Sequence, residues 1–387
     1  MHRESRIFIV IPSLTFGGGA ERLVFDIYSE IKSRNIAVKM IVGERVGAHI
    51  IDGNRFENLL IDDANVHFLN EKISISVLGR NNKTSRKFID LVDSFRPTVM
   101  HSHLFKGEII SRSYLDSGIK YFSHFHDNMG QLRNWSWTRF PKKRDLTDFF
   151  EKLYLLGRYR KNGGTKFLTI SKSTFEYANL VLPKIHRKNI FLLPNAVNLS
   201  RFSGLKKSVI TKRIKLLNIG SLIPLKNQKF LFQVVKELKK RGLDVQLDCL
   251  GEGVSRTALE EEIVFLGLEN DIRLLGNCDV ENYLCEASVY VHSSKREAFG
   301  LVLIEAMASG TPVISLNGKG NSDIVINGVS GFLMKDENIQ SFADQIVELT
   351  SDQLLYDTIT ASAAKFASQY DIKSYADTLL KIYQGGN

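Results

Sequence analysis

Apolar residues recur in two patterns along the chain. Short continuous runs alternate with longer stretches that repeat every three or four residues. The runs at Arg6–Leu14, Ala37–Val42, Val66–Leu69, Thr98–Leu104, Tyr121–His126, Lys166–Ser171 and Ile190–Val197 predict strands buried on both faces. Helical periodicity falls between them at Leu23–Ile31, Thr84–Phe95, Gly107–Leu115 and Asp145–Arg160. A second series follows, with strands expected at Ile214–Ile219, Val245–Leu250, Asp271–Leu275, Val289–Val291 and Pro312–Ser315. Its helices are expected near Asn227–Lys240, Phe299–Ser309, Gln340–Leu349, Asp352–Ala367 and Lys373–Tyr383. Strand–helix alternation is the pattern of an α/β fold with a parallel sheet. Two such series in 387 residues predict two domains, 1–200 and 201–370, with a final helix over 371–387 and a polar, basic linker at Ser203–Arg213.

The stretch Val289–Ser315 carries the strongest chemical signal. Glu297 stands just before the predicted helix and Glu305 inside it, flanked by Leu303, Ile304, Ala306 and Met307. A carboxylate in apolar surroundings is costly unless it is hydrogen-bonded. Between the two acids lies the helix N-terminus at Phe299, Gly300 and Leu301, whose free N–H groups attract anions. A ligand with a hydroxyl-rich ring at each end and a diphosphate between them, such as a nucleotide-sugar, satisfies all three features. The spacing alone is equally compatible with a plain strand–helix–strand unit, Glu297 capping and Glu305 facing solvent.

Other candidate chemistry sits at strand ends, where ligands gather in open α/β sheets. Gly17, Gly18 and Gly19 form a turn between a strand and a helix, where backbone can approach a ligand closely. The pattern is not G-x-G-x-x-G and does not support a dinucleotide site. His101, His103, His124 and His126 fall at two adjacent strand ends, and no carboxylate cluster completes a metal site with them. Lys226, at a helix start, opposes the helix dipole unless an anion binds there.

Composition narrows the class. No apolar run approaches a membrane span, and Cys249, Cys278 and Cys285 lack metal-ligand spacing, which fits buried thiols in a reducing cytoplasm. The net charge of +10 is lopsided: residues 1–200 hold 31 Lys and Arg against 19 Asp and Glu. A basic first half suits an anionic surface or acceptor, with nucleic acid as the competing reading. Residues 129–166 combine Trp135, Trp137 and other aromatics with Arg133, Arg139, Lys142, Lys143 and Arg144. That texture suits a membrane interface, and equally an insertion packed on its own domain.

The run S-x-x-E-A-F-G-L-x-x-x-E-A-M-A-x-G-x-P-V, which holds Glu297 and Glu305, resembles the signature of glycosyltransferase family 4. The likeness extends to the G-G-A-E turn at Gly18 and Gly19, to F-H-D-N at His126 and to L-P-N-A-V at Leu193–Val197. It implies the GT-B architecture, two Rossmann-like domains facing a cleft, with the final helix crossing back to the first. It implies a retaining hexosyltransferase that uses a nucleotide-sugar, taken here as a UDP-sugar, and a glycan or lipid-linked acceptor in surface polysaccharide synthesis. By resemblance the donor lies against Gly18, Gly19, Ser221, Lys226, Asn277, Glu297, Phe299, Gly300, Leu301 and Glu305, and the acceptor against His103 and His126. Glu297, His126 and Lys226 are the expected catalytic residues, with no metal and no cofactor, consistent with the lack of Asp-x-Asp. Ser221 replaces the usual arginine of the diphosphate clamp. The expected location is cytoplasmic, peripheral on the inner membrane face through residues 129–166, and no nucleic-acid partner is expected. A nucleotide-sugar 2-epimerase of the same fold and a basic nucleic-acid-binding protein are the alternatives.

Overall fold

A computed structural model describes residues 5–14, 18–44, 63–70, 85–133, 143–202 and 213–386. The chain clusters into two compact units, Met1–Pro194 with Tyr375–Asn387, and Asn195–Ser374. The first division thus falls slightly before the expected boundary at 200. The second falls inside the last helix. The expected linker, apart from Arg213, lies outside the described residues, as do Gly17, Trp135, Trp137, Arg139 and Lys142 and the side chains of Lys143 and Arg144.

The first unit holds β1 (Ile7–Ser13), α1 (Gly19–Ser33), β2 (Val38–Glu44), β3 (Val66–Phe68), α2 (Arg86–Phe95), β4 (Val99–His103), α3 (Leu104–Arg112), β5 (Lys120–Phe125), α4 (Lys143–Lys161), β6 (Lys166–Thr169), α5 (Lys172–Val181) and β7 (Ile190–Leu192). The strands form one seven-stranded sheet in the order β3-β2-β1-β4-β5-β6-β7. All its pairings are parallel. β1 is buried throughout its apolar run, as a central strand covered on both faces must be.

Helix α5 is not among the expected helices; its buried face, Thr174, Ala178 and Val181, opens on a polar residue. Its start was legible in another way. Ser171 accepts a hydrogen bond from the Thr174 amide and the Thr174 hydroxyl bonds back, a capping box with threonine in place of the usual Glu or Gln. Helix α3 begins at Leu104, three residues before the expected start, directly off the end of β4.

The second unit holds β8 (Ile214–Ile219), α6 (Gln228–Lys240), β9 (Val245–Leu250), α7 (Arg256–Leu266), β10 (Ile272–Gly276), α8 (Val280–Glu286), β11 (Val289–His292), α9 (Leu301–Ala308), β12 (Val313–Leu316), β13 (Phe332–Met334), α10 (Ile339–Ser351) and α11 (Gln353–Ala367). α12 (Ile372–Gln384) follows, its later part clustering with the first unit. The six-stranded parallel sheet runs β10-β9-β8-β11-β12-β13. In both sheets the order reverses beside the first strand, between β1 and β4 and between β8 and β11. Loops leaving the carboxyl ends at such a reversal diverge to opposite faces and leave a crevice.

Candidate functional site

The crevice of the second unit is built by the loops after β8 and β11. Lys226 closes the first loop, at the end of a 3-10 turn over Pro224–Lys226; Asn227, at φ 55°, redirects the chain into α6. Glu297 lies in the second loop. Lys226 Nζ is 2.6 Å from Glu297 Oε2, and His292 Nε2 is 3.3 Å from the same oxygen. The histidine contact is close enough to act on the charge, and the lysine donates a hydrogen bond to the same oxygen. Burial alone would raise the Glu297 carboxyl; His292 and the Lys226 charge outweigh it and hold it at about 2.

The backbone around Glu297 is clamped from the neighbouring strand. The Glu297 amide donates to the Gly318 carbonyl at 2.7 Å, and the Gly320 amide donates to the Glu297 carbonyl at 3.0 Å. A Cβ at Gly320 would sit 2.3 Å from that carbonyl oxygen, so only glycine lets the two loops meet. The fully buried Asn321 ties the turn down: it accepts from the Gly318 amide and donates to the Ser315 hydroxyl and the Leu316 carbonyl.

Glu305 is 3% exposed, one turn into α9, among the fully buried Leu303, Ile304, Ala306 and Met307. The solvent-facing alternative for it is therefore wrong. The expected start of α9 also needs correction. The helix begins at Leu301, capped by Gly300 in a left-handed conformation at φ 101°. Phe299 instead turns into the interior, 3% exposed and edge-on to Tyr370. The amides that open the helix are therefore those of Leu301 and Val302, because Phe299 precedes the cap and the Leu303 amide donates to the Gly300 carbonyl at 3.0 Å.

Asn277 is exposed just beyond β10, two strands from the crevice or about 10 Å away at ordinary strand spacing. Ser221 follows the end of β8, where its carbonyl accepts from the Gln228 side chain. The structure thus brings Lys226, Glu297 and His292 together, places Glu305 and the α9 N-terminus beyond them, and sets Asn277 at the far end. His292 was missed by sequence reasoning. Its only signal was a histidine ending a buried strand five residues before the first glutamate.

In the first unit, Gly18 caps α1 at φ −117° and Gly19 is its first residue; both are exposed. His101, His103 and His124 are fully buried, and His126 is 5% exposed. His103 therefore does not line an open acceptor surface. Burial holds all four imidazoles below the ordinary histidine range, His101 and His126 at about 3. The candidate ligand atoms of His101, His103 and His124 all lie within 4.8 Å of one another. The rings of His101 and His124 are stacked within 11° of parallel, so their in-plane lone pairs do not converge.

Residues 203–366 match the family model described as "Glycosyl transferases group 1". Staphylococcus aureus "Capsular polysaccharide biosynthesis glycosyltransferase CapM" is 26% identical over 255 residues, 60% of this chain and 67% of that protein. The Escherichia coli "UDP-Gal:alpha-D-GlcNAc-diphosphoundecaprenol alpha-1,3-galactosyltransferase" is 27% identical over 50% of this chain and 54% of its own. For several other curated relatives the match spans only 41 to 46% of their length. Among solved structures, Anabaena Alr3699/HepE in complex with UDP and glucose superposes with a TM-score of 0.75 at 18% identity, covering 98% of this chain and 99% of that one. A glycosyltransferase from Rickettsia africae gives 0.75 at 19% identity, covering 99% of each chain. These likenesses do not favour the epimerase or nucleic-acid readings. Residues 203–366 are thus similar to the group 1 glycosyltransferases, and the chain has the two Rossmann-like halves of the GT-B fold.

Proposed function

We propose that this chain is a retaining glycosyltransferase that moves a hexosyl group from a nucleotide-diphosphate sugar to a glycan or lipid-linked acceptor in surface polysaccharide synthesis. The observation that carries this reading is the Lys226–Glu297 pair at the sheet's reversal point, 2.6 Å long and followed by a helix N-terminus. A pre-paired lysine and carboxylate suit a ligand that presents a diphosphate and a sugar side by side. Lys226 and the amides opening α9 would stabilise the leaving diphosphate as the glycosidic C–O bond breaks. Glu297 would hold the transferred sugar and stabilise positive charge developing at its anomeric carbon. Glu305 would accept hydrogen bonds from ribose hydroxyls.

His126 would orient the sugar or the acceptor hydroxyl. That hydroxyl attacks from the face the diphosphate leaves, and its proton goes to the departing phosphate, so no protein base is assigned. Neither metal nor cofactor enters this scheme. With Ser221 in place of an arginine, the α9 amides bear more of the diphosphate charge. UDP is the favoured nucleotide because the relatives named for their donor include a UDP-galactose enzyme. The names of the relatives likewise support a cell-surface polymer as product. A cytoplasmic enzyme seated on the inner membrane face would meet both substrates.

A panel of UDP-, GDP- and ADP-sugars, scored by thermal shift and by donor hydrolysis, tests the reading. One nucleotide series should raise the melting temperature and be slowly hydrolysed. If no donor binds, the assignment fails.

A further inference from the structure

Strand β4 and the end of β5 deliver four histidines to one face of the first sheet, because residues two apart on a strand share a face. The register sets His103 opposite His124. Ring centroids are 4.1 Å apart for His101 and His103, and 4.4 Å for His124 and His126. The charges acting on these rings are one another's; no carboxylate is among them. Two polar contacts organise the group. Tyr383 of α12 meets His101 Nδ1 at 2.6 Å, and His103 Nδ1 meets His126 Nε2 at 2.8 Å.

The second contact has a chemical consequence. Both rings are neutral, and a hydrogen bond between two neutral imidazoles uses one N–H and one lone pair. It commits Nε2 of His126 whichever ring donates. Nδ1 of His126 is left without a partner among the described residues. His126 is also the only member of the group with any exposure, and it stands at the carboxyl end of the sheet. A buried polar atom without a partner is destabilising unless a ligand completes it.

We propose that His103 is a positioning residue that engages Nε2 and fixes the orientation of the His126 ring, so that Nδ1 is the one ring nitrogen presented to a ligand. This rests on the reading of His126 as a contact to the sugar or acceptor. It replaces the expectation that His103 itself touches the acceptor. His103 acts through its neighbour, much as the outer partner of a metal-bound histidine sets which nitrogen faces the metal.

The experiment uses the full chain with 15N-labelled histidine side chains and long-range 1H–15N correlation. His126 signals are identified by their loss in His126→Gln. Across neutral pH the wild-type His126 should be a neutral ring whose Nε2 is hydrogen-bonded. In His103→Leu the Nε2 signal should move to that of an unbonded nitrogen, and in His103→Asn, whose amide can donate or accept, the bonded position should return. Unchanged signals of His186 and His292 report that the variants are folded. An unbonded Nε2 in the wild type, or an unaltered one in His103→Leu, overturns the proposal. Should the leucine variant fail to fold, the wild-type and asparagine spectra still decide.

On the donor found by the panel, His103→Leu should lower kcat by roughly 10²-fold with little change in donor KM, and His103→Asn should recover most of it. An unchanged kcat in His103→Leu also overturns the proposal. If the wild type turns over no donor, the transferase reading fails while the hydrogen-bond result stands by itself.

Discussion

Lys226 Nζ and Glu297 Oε2 are 2.6 Å apart, so the two charges assigned to opposite parts of a donor are bonded to each other. The pair is mostly buried, with side-chain exposures of 22% and 15%. Breaking it from the lysine side strands a carboxylate in a low-dielectric site. Lys226→Met should therefore destabilise the second unit by ~1–3 kcal/mol, less than a fully buried pair because water still reaches it. Glu297→Gln should cost about as much, and the double variant should be more stable than the sum of the single losses predicts. Denaturant titration of all four proteins measures this, and strict additivity would refute the coupling. Either single variant should slow donor turnover by ~10²–10³-fold.

The two units should respond to acid in different windows. Glu297 is held at about 2, from an ordinary 4.5, so its contribution is complete above 4.5 and is lost as the pH falls toward 2. The loss is on the order of 3 kcal/mol, and Glu297→Gln should remove that part of the acid sensitivity. The buried histidines start earlier. Their folded values lie below the unfolded 6.5, so the unfolded chain takes up protons first and stability falls as soon as the pH drops below 6.5. Each of His101 and His126 should cost roughly 2 kcal/mol at pH 5. Hydrogen-exchange mass spectrometry should show β4 and β5 deprotected at a pH where β8 and β11 are still protected. His124 has no hydrogen-bond partner on either nitrogen among the described residues. His124→Leu should therefore flatten this early loss.

A methyl group at Gly320 tests the clamp behind Glu297. Its Cβ would lie 2.3 Å from the Glu297 carbonyl oxygen and 2.6 Å from the Ala298 carbonyl oxygen, so the loops must part. Gly320→Ala should abolish the thermal shift given by the best donor and lower stability by ~1–3 kcal/mol. Retained donor affinity would show that the Glu297 loop is not held by this contact.

Membrane seating makes a separate prediction. Leu180, at the end of α5, and Ile185, just after it, are each 70% exposed, with Lys184, Arg187 and Lys188 exposed beside them. Exposed aliphatics inside a basic patch suit an anionic bilayer. Flotation with phosphatidylglycerol-containing vesicles should carry the chain, and neutral vesicles should not. Neutralising Lys184, Arg187 and Lys188 should weaken binding by about 10²-fold, at ~1 kcal/mol per charge. Neutralising Lys142, Lys143 and Arg144 tests the preceding segment in the same way. Binding that ignores all six charges would exclude an electrostatic seat.

The α/β class, the succession of nearly all strands along the chain and the placing of Glu297 and Glu305 around one helix start are legible in the sequence. Those features are local: a buried strand needs a continuous apolar run, a helix needs its period, and a tight turn needs glycine. Tertiary structure decided the rest. Lys226 and Glu297 are 71 residues apart and meet because β8 and β11 are neighbours at the sheet's reversal point. His292 joins them because β11 ends there, and His103 finds His126 through the pairing of β4 with β5. Helix α9 starts past Phe299, whose ring lies inward against Tyr370, far along the chain. Such contacts follow from strand order and register, which no local periodicity encodes, because parallel neighbours are joined only through long crossovers.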